Sequence, residues 1–350
     1  MKHIVPNNFL FILIPLLLAL FLIMLSIIKT IAYFIAKNQV LEKLRTLYQY
    51  NYTAFKYGFI FKVISAICIK IMEKGNFNAL TVFKDNRFAI ELSNSCRFYW
   101  DPSNSASLLG MPIRGDFEPF ETNIILKIIS TMDIKTIFDI GANFGWYSVH
   151  MGKNIKDNSI IHSFEPSPDA YNELTNNINL NDLRGNVKAI NLCLGNSTGL
   201  TKLFIPEKLG SAFASLNLNN YNGKIRKVLV SIDTIDNYCK NNNIKQVDLI
   251  KIDVEGAEHL VFKGARSLLA SEKKPVIMME AQKHSTENFN YTPEDLFKFL
   301  SSYGYVIYSM KDGKLVLLKD FDKSTEYNFL CYSPQQHAKI AGILGVNEVK

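Results

Sequence analysis

Three textures of apolar and polar positions succeed one another along this chain. From Phe9 to Ile28, twenty residues carry no charge and are interrupted only by Pro15 and Ser26. At about 1.5 Å of rise per residue, a helix of this length spans roughly 30 Å, the hydrocarbon thickness of a bilayer. The run exceeds the apolar core of a cleaved leader and no small-x-small site follows it, so residues 9–28 read as a transmembrane signal anchor behind a short tail, 1–8. In residues 29–80, Tyr48, Tyr52, Phe55, Phe59, Val63 and Ile67 recur at spacings of three and four among lysines, which predicts a basic amphipathic helical region beside the membrane. From about Thr81 short β-type runs appear between Asn, Asp and Ser. Residues 81–135 read as an N-terminal lid. Strands are predicted at Thr136–Ile140, Ser159–Phe164, Val187–Leu192, Asp248–Ile252, Pro275–Met279, Val306–Tyr308 and Phe329–Tyr332. Helical stretches lie between them, one running from about Glu255 to Ala270 and one opening at Thr292-Pro293-Glu294. Such alternation predicts an α/β domain over 136–335, a doubly wound, mostly parallel sheet covered on both faces, with 336–350 as a tail.

Charge sharpens this division. The formal net charge is +7, which at first suggests a nucleic-acid binder. Residues 1–80 hold nine Lys/Arg against two Asp/Glu, and the remaining residues hold thirty of each. The globular part is therefore neutral and has no basic stripe, so no nucleic-acid partner is expected. More positive charge follows the apolar run than precedes it, which places the catalytic part in the cytoplasm. Five widely spaced cysteines without a CxxC pair suit a reducing compartment and exclude a disulfide scaffold. The hydrophobic fraction, 48%, excludes a mainly disordered chain.

The densest chemistry lies at strand ends. Phe138-Asp139-Ile140-Gly141-Ala142-Asn143-Phe144-Gly145 is an apolar strand ending in an acid, then a Gly-x-x-x-Gly turn opening a helix. Glycine permits a tight turn and close approach of a ligand, and a helix start offers free N–H groups. Glu165 ends the next strand, twenty-four residues after Gly141, where an acid can hold both hydroxyls of an adenosine ribose. No third glycine stands where a dinucleotide loop has one, which favours S-adenosyl-L-methionine over a pyrophosphate-bearing cofactor. Asp253 and Glu255 end the fourth predicted strand and are candidate general bases, while Glu258 reads as a helix-capping acid. Glu280 and His284 end the fifth and are candidates for the acceptor side. His150, His162, His259 and His284 lack paired ligand spacing, so no metal is expected.

These residues together resemble the FkbM-type family of S-adenosylmethionine-dependent methyltransferases, over roughly Gly115 to Glu280. The resemblance is carried by Asp139–Ser148, by Lys251-Ile252-Asp253-Val254-Glu255-Gly256-Ala257-Glu258, by Gly115-Asp116-Phe117-Glu118 and by Phe164-Glu165-Pro166. It implies the class I methyltransferase sheet, Rossmann-like, seven strands with the last inserted antiparallel. It also implies that Asp139, Gly141 and Asn143 shape the methionine end of the cofactor, that Glu165 holds the ribose, that Gly195-Asn196 lies beside adenine, and that Glu118, Ala142, Gly145 and Asp253 belong to the cofactor-binding set. Catalysis then rests on Asp253 first, with Glu255, Glu280 and His284 in support. The expected activity is O-methylation of a small-molecule, sugar, glycan or lipid-linked hydroxyl by a membrane-anchored enzyme. Two alternatives stay open: an inactive scaffold on the same fold, and a nicotinamide-dependent oxidoreductase.

Overall fold

The computed structural model describes residues 77–83, 87–100, 117–311, 313–319 and 326–344. The chain divides into compact units Met1–Lys70 and Ile71–Lys350, and every described residue belongs to the second. No helix among the described residues is long and apolar enough to cross a membrane. The longest have 13 residues, about 20 Å of helix against the roughly 30 Å of a bilayer core. The expected single-pass membrane placement, with its cytoplasmic catalytic domain, is corrected accordingly. The segment 9–28 on which it rested lies outside the described residues, as does the helical reading of residues 30–74. The first described strand already begins at Phe77, inside the stretch 29–80 read as helical.

The main sheet contains β4 (Thr136–Ile140), β5 (Ile160–Phe164), β6 (Val187–Ile190), β10 (Leu249–Ile252), β11 (Val276–Glu280), β12 (Val306–Lys311), β13 (Lys314–Leu317) and β14 (Asn328–Tyr332). Its order is β13-β12-β14-β11-β10-β4-β5-β6. β4, β5, β6, β10 and β11 run parallel, and β14 inserts antiparallel between β11 and β12. All seven predicted strands are therefore present with the last one antiparallel. The eighth, β13, is the return arm of a hairpin from β12.

The strands are apolar throughout because both faces are buried. Ile137, Leu249, Met278 and Leu330 face one core, together with Ile124 and Ile128 of α1 (Pro119–Thr131) and Val149 of α2 (Trp146–Asn154). Phe138, Ile250, Ile277 and Phe329 face the other, with Val261 of α5 (Glu258–Lys263) and Leu296 of α8 (Pro293–Ser302). Alternation within each strand thus serves two cores, as a doubly wound sheet requires. α8 starts where its sequence says it should: Thr292 and Asp295 form a reciprocal capping box ahead of Pro293.

Two smaller sheets flank this layer. β1 (Phe77–Val82), β2 (Phe88–Leu92) and β3 (Arg97–Trp100) form an antiparallel meander. The open edge of β3 is met by a helix, α3 (Pro168–Leu180), instead of a strand. Tyr99 N–H donates to Asn177 Oδ1 (2.8 Å) and Arg97 N–H to Asn181 Oδ1 (2.9 Å), while Asn181 Nδ2 returns a bond to Arg97 O (2.6 Å). Asn177 Nδ2 also donates to Phe144 O in the glycine turn (2.8 Å). Asn177→Ala is expected to lower stability by about 2–3 kcal/mol, the cost of losing both bonds and leaving buried backbone groups unpaired. Urea unfolding checks this, and a loss below half a kcal/mol would show that water replaces the amide.

The third sheet, β7-β9-β8, occupies the stretch between the third and fourth predicted strands. It consists of β7 (Cys193–Leu194), β8 (Gly199–Pro206) and β9 (Ile225–Asp233). Its buried face is Cys193, Leu203, Ile205, Val230 and Ile232.

Candidate active site

Register brings the polar residues of the sheet into one row. Ser163, Asp139 and Lys251 are direct partners across β5, β4 and β10. Registered neighbours project from the same face, here the face covered by α1 and α2. Those helices then contribute Glu118, which precedes α1, and Tyr147 and Ser148 from the first turn of α2.

Asp139 is fully buried and accepts a hydrogen bond from Ser148 Oγ, which also lies 2.7 Å from Ser163 Oγ. Its Oδ1 is buried with no partner. Burial raises the Asp139 carboxyl above the usual carboxylate range, opposed by Lys251 and by bonds from Ser148. Lys251 is 7% exposed. Its Nζ lies 3.3 Å from Asp253 Oδ2 and 4.7 Å from the Tyr147 ring centroid. Burial works against the ammonium, but Asp253, Asp139, Glu118 and Glu280 outweigh it and hold Lys251 above the ordinary lysine value. Glu118 accepts from Tyr147 Oη at 2.6 Å, and its carboxyl is raised by burial. Burial, then Asp253, pushes Glu280 up to about 9, and Gln282 hydrogen-bonds to it. One buried cation thus serves four carboxylates.

A cleft opens at the carboxyl ends of β4, β5 and β10. It is lined by Gly141, Asn143, Glu165, Asp253 and Glu255, with Leu192, Cys193 and Leu194 on one wall. The opposite wall is Ser211, Ala212, Ala214, Ser215 and Leu216, in the connection between β8 and β9. The glycine turn uses its amides internally. Gly141 and Ala142 N–H donate to Phe164 O (3.0 and 2.9 Å), and Asn143 N–H donates to Glu165 Oε2 (2.8 Å). Glu165 Oε1 accepts from Ser167 N–H at 2.8 Å, and burial pushes its carboxyl up to about 7. Gly141 is irreplaceable locally: its φ is +77°, and a Cβ there would lie 1.8 Å from Asp253 O.

Beyond β10 the backbone turns through Glu255 (φ 51°) and Gly256 (φ 97°). Glu255 is fixed by Ser215 Oγ, which donates to its carbonyl at 2.8 Å. Burial, then Asp253 and Glu258, pushes the Glu255 carboxyl up to about 8. Glu258 Oε1 accepts from Val254 and Gly256 N–H (3.1 and 3.2 Å) and so braces the turn ahead of α5, whose N-cap, Ala257, has no side-chain cap. Tyr291 Oη donates to Gly256 O at 2.7 Å and closes the turn from outside.

The structure gathers Gly141, Asn143, Glu165, Asp253 and Glu255 at the cleft. Glu118, Asp139 and Glu280 stand behind them, around Lys251. Ala142 is buried under the turn, and Gly145 begins α2. Asn196 is exposed and outside the cleft, and the wall at its level comes from Leu192 to Leu194. His284 is exposed, with its Nε2 3.3 Å from Ser285 Oγ. Sequence reasoning missed Lys251, Tyr147, Ser215 and Ser285 as site residues. For Lys251 a signal existed, a lone cation inside the apolar strand Leu249-Ile250-Lys251-Ile252. Among the described residues, no three His, Cys, Asp or Glu side chains converge in a way that could hold a metal ion.

Comparison with known proteins adds the following. Residues 139–307 match the family model of the methyltransferase FkbM domain. The methyltransferase sdnD of Sordaria araneosa is 31% identical over 154 residues, covering 37% of this chain and 59% of that protein. Methyltransferase 1 of Beauveria bassiana is 28% identical over 148 residues, covering 38% and 59%. The chain thus spans 59% of the length of these curated relatives. A solved structure of a methyltransferase FkbM from Methylobacillus flagellatus aligns at 17% identity with a TM-score of 0.39, covering 64% of this chain and 52% of that one.

Proposed function

We propose, from the match of residues 139–307 to the methyltransferase FkbM domain, that the chain is an S-adenosyl-L-methionine-dependent methyltransferase acting on a hydroxyl of a sugar, glycan or lipid-linked acceptor. The observation that carries the cofactor reading is the charge of the site. Lys251 is the one buried lysine or arginine among the described residues and faces Asp253, Asp139, Glu118 and Glu280, with Glu255 and Glu165 beside the cleft. Such an excess of carboxylate repels a pyrophosphate and attracts a cation. S-adenosylmethionine carries a sulfonium and an ammonium and no phosphate. When bound, it supplies a methyl group already activated by the positive sulfur.

The chain's own residues then have three tasks. Glu165 holds the cofactor's ribose, already oriented by the Asn143 and Ser167 backbone N–H groups that it accepts from, and the Gly141–Asn143 turn meets its methionine end. Glu118, Asp139 and Lys251 set the field behind the cleft. Asp253, its side chain 30% exposed and fixed by Lys251 at 3.3 Å, orients the acceptor hydroxyl, with the Glu255 carboxyl at the same cleft. Alignment and proton removal are the main contributions left for the protein once the methyl is activated.

Calorimetry tests this reading. S-adenosylmethionine is expected to bind with measurable heat and to raise the thermal midpoint, whereas NAD does neither. Stabilisation by NAD alone would favour the oxidoreductase, and no heat from either would favour a scaffold. Binding is also expected to be proton-linked. Glu165 and Glu255 sit at about 7 and about 8, so both are partly protonated near neutrality. A bound cation favours their ionised forms and expels protons. Affinity therefore rises with pH between 6 and 8, by up to about tenfold per unit for each proton released. Titrations in buffers of different ionisation enthalpy check the sign, and proton uptake on binding would contradict it.

A further inference from the structure

A short polar chain leads from the cleft to the protein surface. Ser285 Oγ donates to Glu255 Oε2 at 3.4 Å and lies 3.3 Å from His284 Nε2. The three groups differ in access: Glu255 lines the cleft, Ser285 is 5% exposed, and His284 is exposed. Several backbone features serve this contact. Glu255 takes a left-handed conformation, uncommon and mildly unfavourable for a residue with a side chain. Ser215 holds its carbonyl from the opposite wall. Gly256 follows at φ +97°, and a Cβ there would lie 2.3 Å from Ser285 O, so only glycine lets α7 (Lys283–Thr286) approach the turn so closely. Ser285 is thus held against Glu255 from both sides of the chain.

We infer that Glu255, Ser285 and His284 form a relay that carries the acceptor's proton from the cleft to solvent. The inference rests on the methyltransferase reading and assigns residues to a step that reading leaves open. Glu255 takes the proton of the acceptor hydroxyl as the oxygen–carbon bond forms. The carboxylic acid then passes a proton to Ser285 Oγ while the Ser285 hydroxyl proton moves to His284 Nε2. The imidazolium gives its proton to water, and the Ser285 hydroxyl, which turned from Glu255 toward His284 before the transfer, is left donating to Glu255 as at the start. No electron transfer and no co-reactant are needed. The division of labour follows from the contacts: Asp253 is tied to Lys251 and orients, while Glu255 is tied to Ser285 and discharges. The charged groups facing Glu255 are Asp253, Glu258 and Lys251. A raised Glu255 carboxyl suits a group that must gain and lose a proton near neutral pH.

The test is a ¹³C-histidine NMR titration of the full chain, with His284 assigned through His284→Gln. In the wild type, the His284 ring is expected to report two inflections, its own and that of Glu255. Glu255→Gln removes the second. Ser285→Ala removes it too, and Ser285→Thr, which keeps the hydroxyl, retains it. A single His284 inflection, the same in wild type and Glu255→Gln, overturns the relay. Calorimetry with S-adenosylmethionine on the same samples separates the two ideas. If wild type gives no heat the methyltransferase reading fails, while the titration still decides whether the three side chains are linked. Ser285→Ala and Ser285→Thr are expected to keep cofactor affinity within about twofold, and the wild-type melting profile in both confirms that lost coupling is not lost fold.

Discussion

Lys251→Met is expected to lower the unfolding free energy by about 3–5 kcal/mol at pH 8, the range found when one partner of a buried ion pair is removed. The substitution preserves most of the apolar stem, so the loss comes from charge. Lys251 is buried, and the groups that raise its affinity for a proton are Asp253, Asp139, Glu118 and Glu280. Without it these acids face one another across a dry site. The pH dependence gives the effect its signature. A carboxyl raised above its unfolded value contributes stability that is fully present below the unfolded pKa and is lost as pH rises through the folded one. For Glu280, Glu255, Glu165 and Glu258, raised to about 9, 8, 7 and 7, that window runs from about 4.5 upward to about 9. Lys251 keeps its proton throughout, so its compensation grows as its neighbours ionise. The wild type should therefore lose stability moderately over this window and Lys251→Met steeply. The two should approach one another toward pH 4.5, where Glu280, Glu255, Glu165 and Glu258 are neutral in both. Urea midpoints at several pH values measure this. A pH-independent difference would mean that packing, not charge, is what Lys251 supplies.

What the sequence made legible, and what it hid, follows from how each residue is used. Seven of the eight strands of the main sheet were readable because strands buried on both faces leave apolar runs, and Gly141 and Asp253 because they end such runs. β7, β8 and β9 were not readable. Their outward face carries Lys202, Leu229, Lys227 and Ser231, a mixture with no clean period, and they pair only with one another. Asn177 and Asn181 looked like compositional background in an Asn-rich chain, yet their amides stand in for a missing β-strand. Lys251 was hidden because its partners come from β4, the residues before α1 and the end of β11, which only register assembles. Asp139 illustrates the converse. Its strand-end position suggested ligand contact, but its side chain points under α2 and is fully buried, so it acts on the cleft through Lys251 and Ser148.

The same charge balance yields the second large effect, in the opposite thermodynamic direction. Asp253→Ala is expected to reduce methyl transfer by roughly 10²–10⁴-fold, the usual contribution of a positioned acid–base group, while leaving stability unchanged or slightly higher. Ordinarily, removing one member of a buried ion pair is costly. Here Lys251 still faces Asp139, Glu118 and Glu280, and Asp253 is partly open to solvent, its side chain 30% exposed. Removing it deletes one of several mutually repelling acids and strands no charge. It also relieves Glu255 and Glu280, both of which Asp253 pushes upward. Those carboxyls should then titrate lower, and the decline of stability toward pH 9 should flatten. Cofactor affinity should fall by no more than about tenfold, since Glu165, Glu118 and Asp139 remain. Transfer of tritiated methyl from S-adenosylmethionine to a glycan and glycolipid extract, calorimetry and urea unfolding on one preparation separate these quantities. Loss of transfer with an intact fold and retained binding places Asp253 at the reacting hydroxyl. Near-normal transfer removes it from that role and leaves Glu255 as the acid that meets the acceptor.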